Sequence, residues 1–144
     1  MAELSDALKN LHNTLVDSRN GYDEARKQTT QPGMAELFRN MIVLRTKHIG
    51  EIEHRLATMG VDFDVSGTLM STVHRTVIDI RSLLTGLDAN ALPSFASGEE
   101  NILKQYDQTL RMAGGDNDVT TLLTQQRDVV AAKIDGLRRQ APAA

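Results

Sequence analysis

Leu4, Leu8, Leu11, Leu15 and Tyr22 recur three, four or seven residues apart, the spacing that lines one face of a helix. Ser5 is suited to cap that helix, and the pattern carries it from about residue 5 to residue 30. Gln31, Pro32 and Gly33 break it. A second apolar series, Phe38, Met41, Ile42, Ile49, Ile52, Leu56 and Met59, predicts a helix over about 34–59, with Gly60 suited to the position just past its end. Asp62, Asp64, Ser66 and Gly67 then read as a loop. Leu69, Val73, Val77, Ile80 and Leu84 make a single stripe and predict a shorter helix over about 68–84, closed by Thr85, Gly86 and Leu87. A further helix follows over about 88–112, with Pro93 in its first turns, and Gly114 and Gly115 separate it from a last helix over about 116–139. The tail 141–144, with Pro142, is expected to fray.

Four of these helices are of nearly equal length, each roughly 36 to 39 Å at 1.5 Å per residue, which suits a single bundle over residues 1–140. The short helix, about 25 Å long with one apolar stripe, suits a segment lying along the outside and carrying the chain from one end to the other. Two short-looped helical hairpins joined by one long crossover have the connectivity of a ferritin-like four-helix bundle, so the expected fold is all-α and ferritin-like, with a shorter helix in the crossover.

Composition narrows the function. The 144 residues include three Phe, two Tyr and no Trp, which favours helices over a β-sandwich. A net charge of −3 with no basic run argues against a nucleic-acid partner. Without cysteine there can be no disulfide, thiolate zinc site or thiol nucleophile. Neither a leader-like N-terminus nor an apolar run of about 20 residues is present, so no membrane association is expected and the cytoplasm is the expected location. No Gly-x-Ser-x-Gly elbow and no phosphate-binding glycine loop occurs, and the methionines at 34, 41 and 59 keep the spacing of core packing. Val43, on the polar side of its helix, and Ile78, opposite the stripe of the short helix, are the candidates for a homo-oligomer surface.

Gly21-Tyr22, Met59-Gly60, Ser66-Gly67, His74-Arg75, Leu84-Thr85-Gly86, and Gly98-Glu99 with Tyr106 together resemble a bacterial family of small ferritin-like four-helix-bundle proteins of unknown function. The resemblance spans nearly the whole chain and rests on the order and spacing of short motifs. It implies a ferritin-like fold and a bacterial source, and no activity. Members often share a histidine in the last helix where this chain has Lys133, a departure that weakens any inherited metal site.

The chemistry centres on Glu99, which falls in the middle of the apolar face formed by Phe95, Ile102, Tyr106 and Leu110. A carboxylate there requires a cation, a metal or a proton. A di-iron site of the ferritin type needs a carboxylate from each of two helices and a Glu-x-x-His pair from each of the other two. Glu51-Ile52-Glu53-His54 has that spelling. Advancing about 100° per residue, however, Glu51 lies about 110° from the apolar centre of its helix and His54 nearly opposite it. In the last helix the stripe of Val119, Leu122, Val129, Val130 and Leu137 holds Gln126 and Lys133, not Glu and His. His48 falls within an apolar arc and His12 at the edge of another, positions that suit hydrogen-bonded packing. Counted from a shared bundle end, Arg45, Glu99 and Lys133 stand at about 22, 21 and 25 Å, with Arg19 and Tyr22 near the same level. The expectation is therefore a buried ionic layer of Arg45, Glu99, Lys133, Tyr22 and Arg19 in a non-catalytic protein without a cofactor, having a structural or interaction role. The rival is a metal-binding or oxidase-type protein holding iron or another divalent metal through Glu99, Glu51, His48 and His54.

Overall fold

The computed structural model describes residues 2–63 and 92–140. The expected short helix over 68–84, with Ser66, Gly67, His74, Arg75, Ile78 and the Thr85-Gly86-Leu87 stop, lies outside the described residues, as do residues 88–91 and the tail 141–144. Four helices make up the described chain: α1 (Ala2–Gln28), α2 (Pro32–Thr58), α3 (Leu92–Ala113) and α4 (Asn117–Gln140). No strand occurs among the described residues, and no described helix is long and apolar enough to cross a membrane.

The helix ends follow from local chemistry. α1 starts at Ala2, so Ser5 lies inside the helix rather than capping it; Glu3, in the first turn, faces the positive end of the helix dipole. Pro32 and Gly33, expected as a break, form the first turn of α2 instead, because the fixed φ of proline suits the first helical position and its missing N–H is one the helix would leave unpaired. Past the other end of α2, Gly60 takes a φ of +73°. Its N–H donates to the Ala57 carbonyl at 3.1 Å while that of Val61 donates to Leu56 at 2.9 Å, the pair of bonds of a Schellman stop. Asp116 caps α4 from outside, its Oδ1 accepting from the Val119 N–H at 3.1 Å.

The ring of Phe38 lies 5.1 Å from Phe95 and Tyr22 5.6 Å from Phe95, which brings the end of α1 and the starts of α2 and α3 together. α2 and α3 therefore run in the same direction, and the chain leaves the described residues at one end of the bundle and rejoins them at the other. α1 packs on α2, α3 on α4 and α1 on α3; the α2–α4 edge is the most open of the four. The core falls into two apolar clusters. One gathers Tyr22, Ala25, Met34, Phe38, Met41, Leu92, Ala96 and Leu137. The larger one surrounds Leu8, Leu11, Leu15, Ile52, Leu56, Tyr106 and Leu123 toward the opposite end.

α4 is turned relative to the sequence expectation. Its buried stripe is Val119, Leu123, Gln126, Val130, Ile134 and Leu137, while Leu122 is half-buried and Val129 exposed. Choosing Ile134 and Leu123 as core positions carries Lys133 onto the surface, about 100° from Ile134.

Phe38 has no exposed surface, so Phe38→Ala should destabilise the protein by about 3 to 5 kcal/mol in urea denaturation, whereas Arg39→Ala, one residue along on the exposed face, should stay within about 0.5 kcal/mol.

Candidate functional site

Between the two apolar clusters lies a charged layer. Arg45 on α2 has no exposed surface and Glu99 on α3 has 2%. Their helices sit diagonally across the bundle, so the long guanidinium crosses the core to reach the shorter carboxylate. The contact is a fork: Nη2 donates to Glu99 Oε1 at 2.7 Å and Nη1 to Oε2 at 3.1 Å. Tyr22 on α1 donates its hydroxyl to the same Oε2 at 2.7 Å, and Arg45 Nη1 donates to Ser18 Oγ at 2.9 Å. Arg45 Nε has no hydrogen-bond partner among the described residues.

Two of the expected members stand elsewhere. Lys133 is exposed, for the rotational reason given above, and supplies no donor to Glu99. Arg19 is half-buried; α1 reaches the layer through Ser18 and Tyr22. Ser18 went unread because a hydroxyl near an apolar stripe looks like any helix-surface serine until the position of a guanidinium is known.

A second polar layer binds the open edge of the bundle. Gln126 on α4 accepts from the Tyr106 hydroxyl at 2.7 Å, and its amide donates to the His48 carbonyl at 3.1 Å and to Glu51 Oε1 at 3.0 Å. One side chain thus ties α4 to both α3 and α2. Its signal in the sequence was the same as that of Glu99, a polar residue at the centre of an apolar stripe. Nearer the end where α2 stops, buried His12 donates from Nε2 to Glu53 Oε2 at 2.8 Å and packs its ring 5.2 Å from Phe63. The partner of His12 is thus the middle Glu of the Glu-x-x-His spelling.

The layer sets the protonation of its own members. Burial, then the Glu99 charge, holds the Tyr22 phenol well above its ordinary range. Burial likewise raises Tyr106. For Arg45 burial acts downward, but the adjacent carboxylate more than offsets it and the guanidinium titrates higher than usual. His48 is the exception within reach of ordinary pH. Burial, followed by repulsion from Arg45, lowers it from 6.5 to about 4, and its Nδ1 has no hydrogen-bond partner.

The metal alternative needs Glu99, Glu51, His48 and His54 to converge, and they do not. Both oxygens of Glu99 are held by Arg45 and Tyr22, Glu51 accepts from Gln126, and His54 is exposed. A divalent cation beside His48 would also meet the positive field of Arg45. Among the described residues no group of three or more His, Asp or Glu side chains is placed to hold a metal ion. The described residues do not fit a di-metal centre.

Comparison with known proteins adds a family. A model described as a domain of unknown function, DUF2383, matches residues 3–112. No curated protein and no solved structure matches the chain.

Removing either partner of the fork should leave an uncompensated buried charge: Arg45→Met or Glu99→Gln alone should destabilise by about 3 to 5 kcal/mol in urea melts, and the Arg45→Met/Glu99→Leu double variant by much less than the sum. His48 predicts a pH effect. Its folded form prefers the neutral ring, so its contribution is complete above pH about 6.5 and is lost as the pH falls toward 4, by roughly 2 to 4 kcal/mol in total. His48→Leu should remove that part of the pH slope, measured as denaturation midpoints between pH 7 and pH 4, while the carboxylate part remains.

Proposed function

This chain belongs to the DUF2383 family, and we propose that it is a non-catalytic, ferritin-like helical bundle with a structural or protein-interaction role, in which a buried ionic layer stands in place of a di-metal site. The parallel course of α2 and α3 supports the ferritin-like reading, since two hairpins joined by one end-to-end crossover are the hallmark of that connectivity. The observation that carries the proposal is the saturation of Glu99: three donors, two from Arg45 and one from Tyr22, surround the carboxylate.

That arrangement suits a register device better than a reaction centre. A general acid or base needs a titration near working pH and access to a substrate, and a nucleophile needs an adjacent base. Glu99 and Tyr22 are closed off from solvent, and the Tyr22 phenol is driven away from neutral titration. Distributed over α1, α2 and α3, the donors and acceptor meet only when the helices are in one register, which ties the charges to assembly of the bundle.

Untagged protein, purified and then incubated with ferrous iron, zinc or nickel, should bind none of them stoichiometrically by elemental analysis, and the ferrous sample should consume oxygen no faster than buffer. Stoichiometric iron that disappears in Glu99→Ala, together with oxygen uptake, would overturn the proposal in favour of an oxidase-type centre.

A further inference from the structure

The open α2–α4 edge forms a long groove on the surface. One stretch of it, about 630 Å³, is lined by Leu37, Met41, Val129, Ala132, Lys133 and Leu137 among others. A second, toward the other end, runs past Lys47, Gly50 and Leu122. Val43 is 70% exposed and Val129 38%, two of the three large exposed apolar residues among the described ones; the third, Met112, lies on another face. Val43 follows Glu36 and Asn40 at helical spacing, so it continues the α2 wall of the groove.

Charge gives this face a matching partner. The contacts from Gln126 to Glu51 and from Arg55 to Asp118, at 3.0 and 3.1 Å, fix which residues of the two antiparallel helices stand level. Counting back from them, Lys47 stands level with residues 126–130, Val43 with 130–134 and Asn40 with 133–137. Now let a second copy be laid on the face by a two-fold axis parallel to the helices. The α2 of each copy then lies over the α4 of the other at unchanged height. Val43 meets Ala132, with Val129 within about a turn of its level, and Lys47 meets Asp128, each twice by symmetry. Lys47 and Asp128 are both exposed, and the contact Asp128 makes with Arg127, at 3.6 Å, is a long surface pair that is readily exchanged.

We propose that the α2–α4 face is an isologous dimer interface whose occupant is a second copy of this chain, with Val43 set against Val129 and Ala132 and Lys47 against Asp128. Val43 and Val129 supply the apolar centre, and the opposite charges on either side set orientation and reject the reversed pairing. The inference is independent of the ionic-layer reading, since the face lies outside the Arg45–Glu99 layer.

Sedimentation equilibrium of the full chain over micromolar to hundred-micromolar concentration should show a monomer–dimer equilibrium. Val43→Glu should weaken it about tenfold or more with an unchanged helical circular dichroism spectrum. The charge test uses mixing. Lys47→Glu and Asp128→Lys should each dimerise poorly alone, because each homodimer opposes like charges twice. An equimolar mixture should recover wild-type dimerisation, because both intermolecular contacts in the heterodimer are then complementary while the level pairs within each chain remain mismatched. A wild-type monomer at every concentration overturns the proposal, and so does a mixture no better than its components. A Val43→Glu variant that lowers the melting temperature of a monomeric protein also overturns it, since residues of the same chain would then cover the face.

Discussion

A guanidinium and a carboxylate that are both sealed from water persist inside a helical bundle only as a pair, and that requirement organises this protein. Desolvating either charge alone carries a penalty of several kcal/mol, while the forked contact between Arg45 and Glu99 offsets much of it without making the layer a large net source of stability. The yield is geometric. Arg45 and Glu99 sit on diagonal helices, Ser18 and Tyr22 on a third, and their hydrogen bonds have short reach, so a one-turn slip of any of these helices, about 5.4 Å, would separate them. The apolar clusters on either side are more forgiving, because Leu, Ile and Phe side chains can repack across a slip that a fork cannot survive.

The second layer does for α4 what the first does for the other three helices. Gln126 joins Tyr106 to the α2 backbone and to Glu51 across the edge where the helices are least closely packed. A neutral amide suits that position. It satisfies a donor and two acceptors without bringing a further charge near Arg45, whose field adds to burial in keeping His48 neutral. The result is a bundle whose inner polar groups are largely engaged with one another, and whose most open surface lies on the outside, along α2 and α4. Core chemistry thus contributes to architecture, and among the described residues the α2–α4 edge is the least closely packed.

Two expected members of the layer are absent from it, each for its own reason. Lys133 was set inside the bundle because Leu122 and Val129 were assigned to the core face of α4 in place of Leu123 and Ile134, and both faces are rich enough in apolar residues to satisfy a helical period. Arg19 is expected in the layer because it stands near the level of Glu99 at the rim of the α1 stripe. The actual need was an acceptor for the spare donor of Arg45. On α4 a rotation of less than a third of a turn decides between core and surface, and periodicity alone does not resolve an angle that fine.

The amino-acid order by itself determined the helical class, the existence of a break near residue 31 and another at Gly114-Gly115, and the fact that Glu99 and Arg45 had to be compensated at a common height. These follow from local periodicity, from proline and glycine backbone preferences, and from rise per residue, all of which act along one helix at a time. Tertiary structure decided which donors reach Glu99, that Gln126 rather than Lys133 faces inward from α4, that His12 pairs with Glu53, and that the α2–α4 edge stays open. Those outcomes depend on the rotation of each helix about its own axis, and that angle is chosen only when four helices compete to bury their apolar faces in the same core.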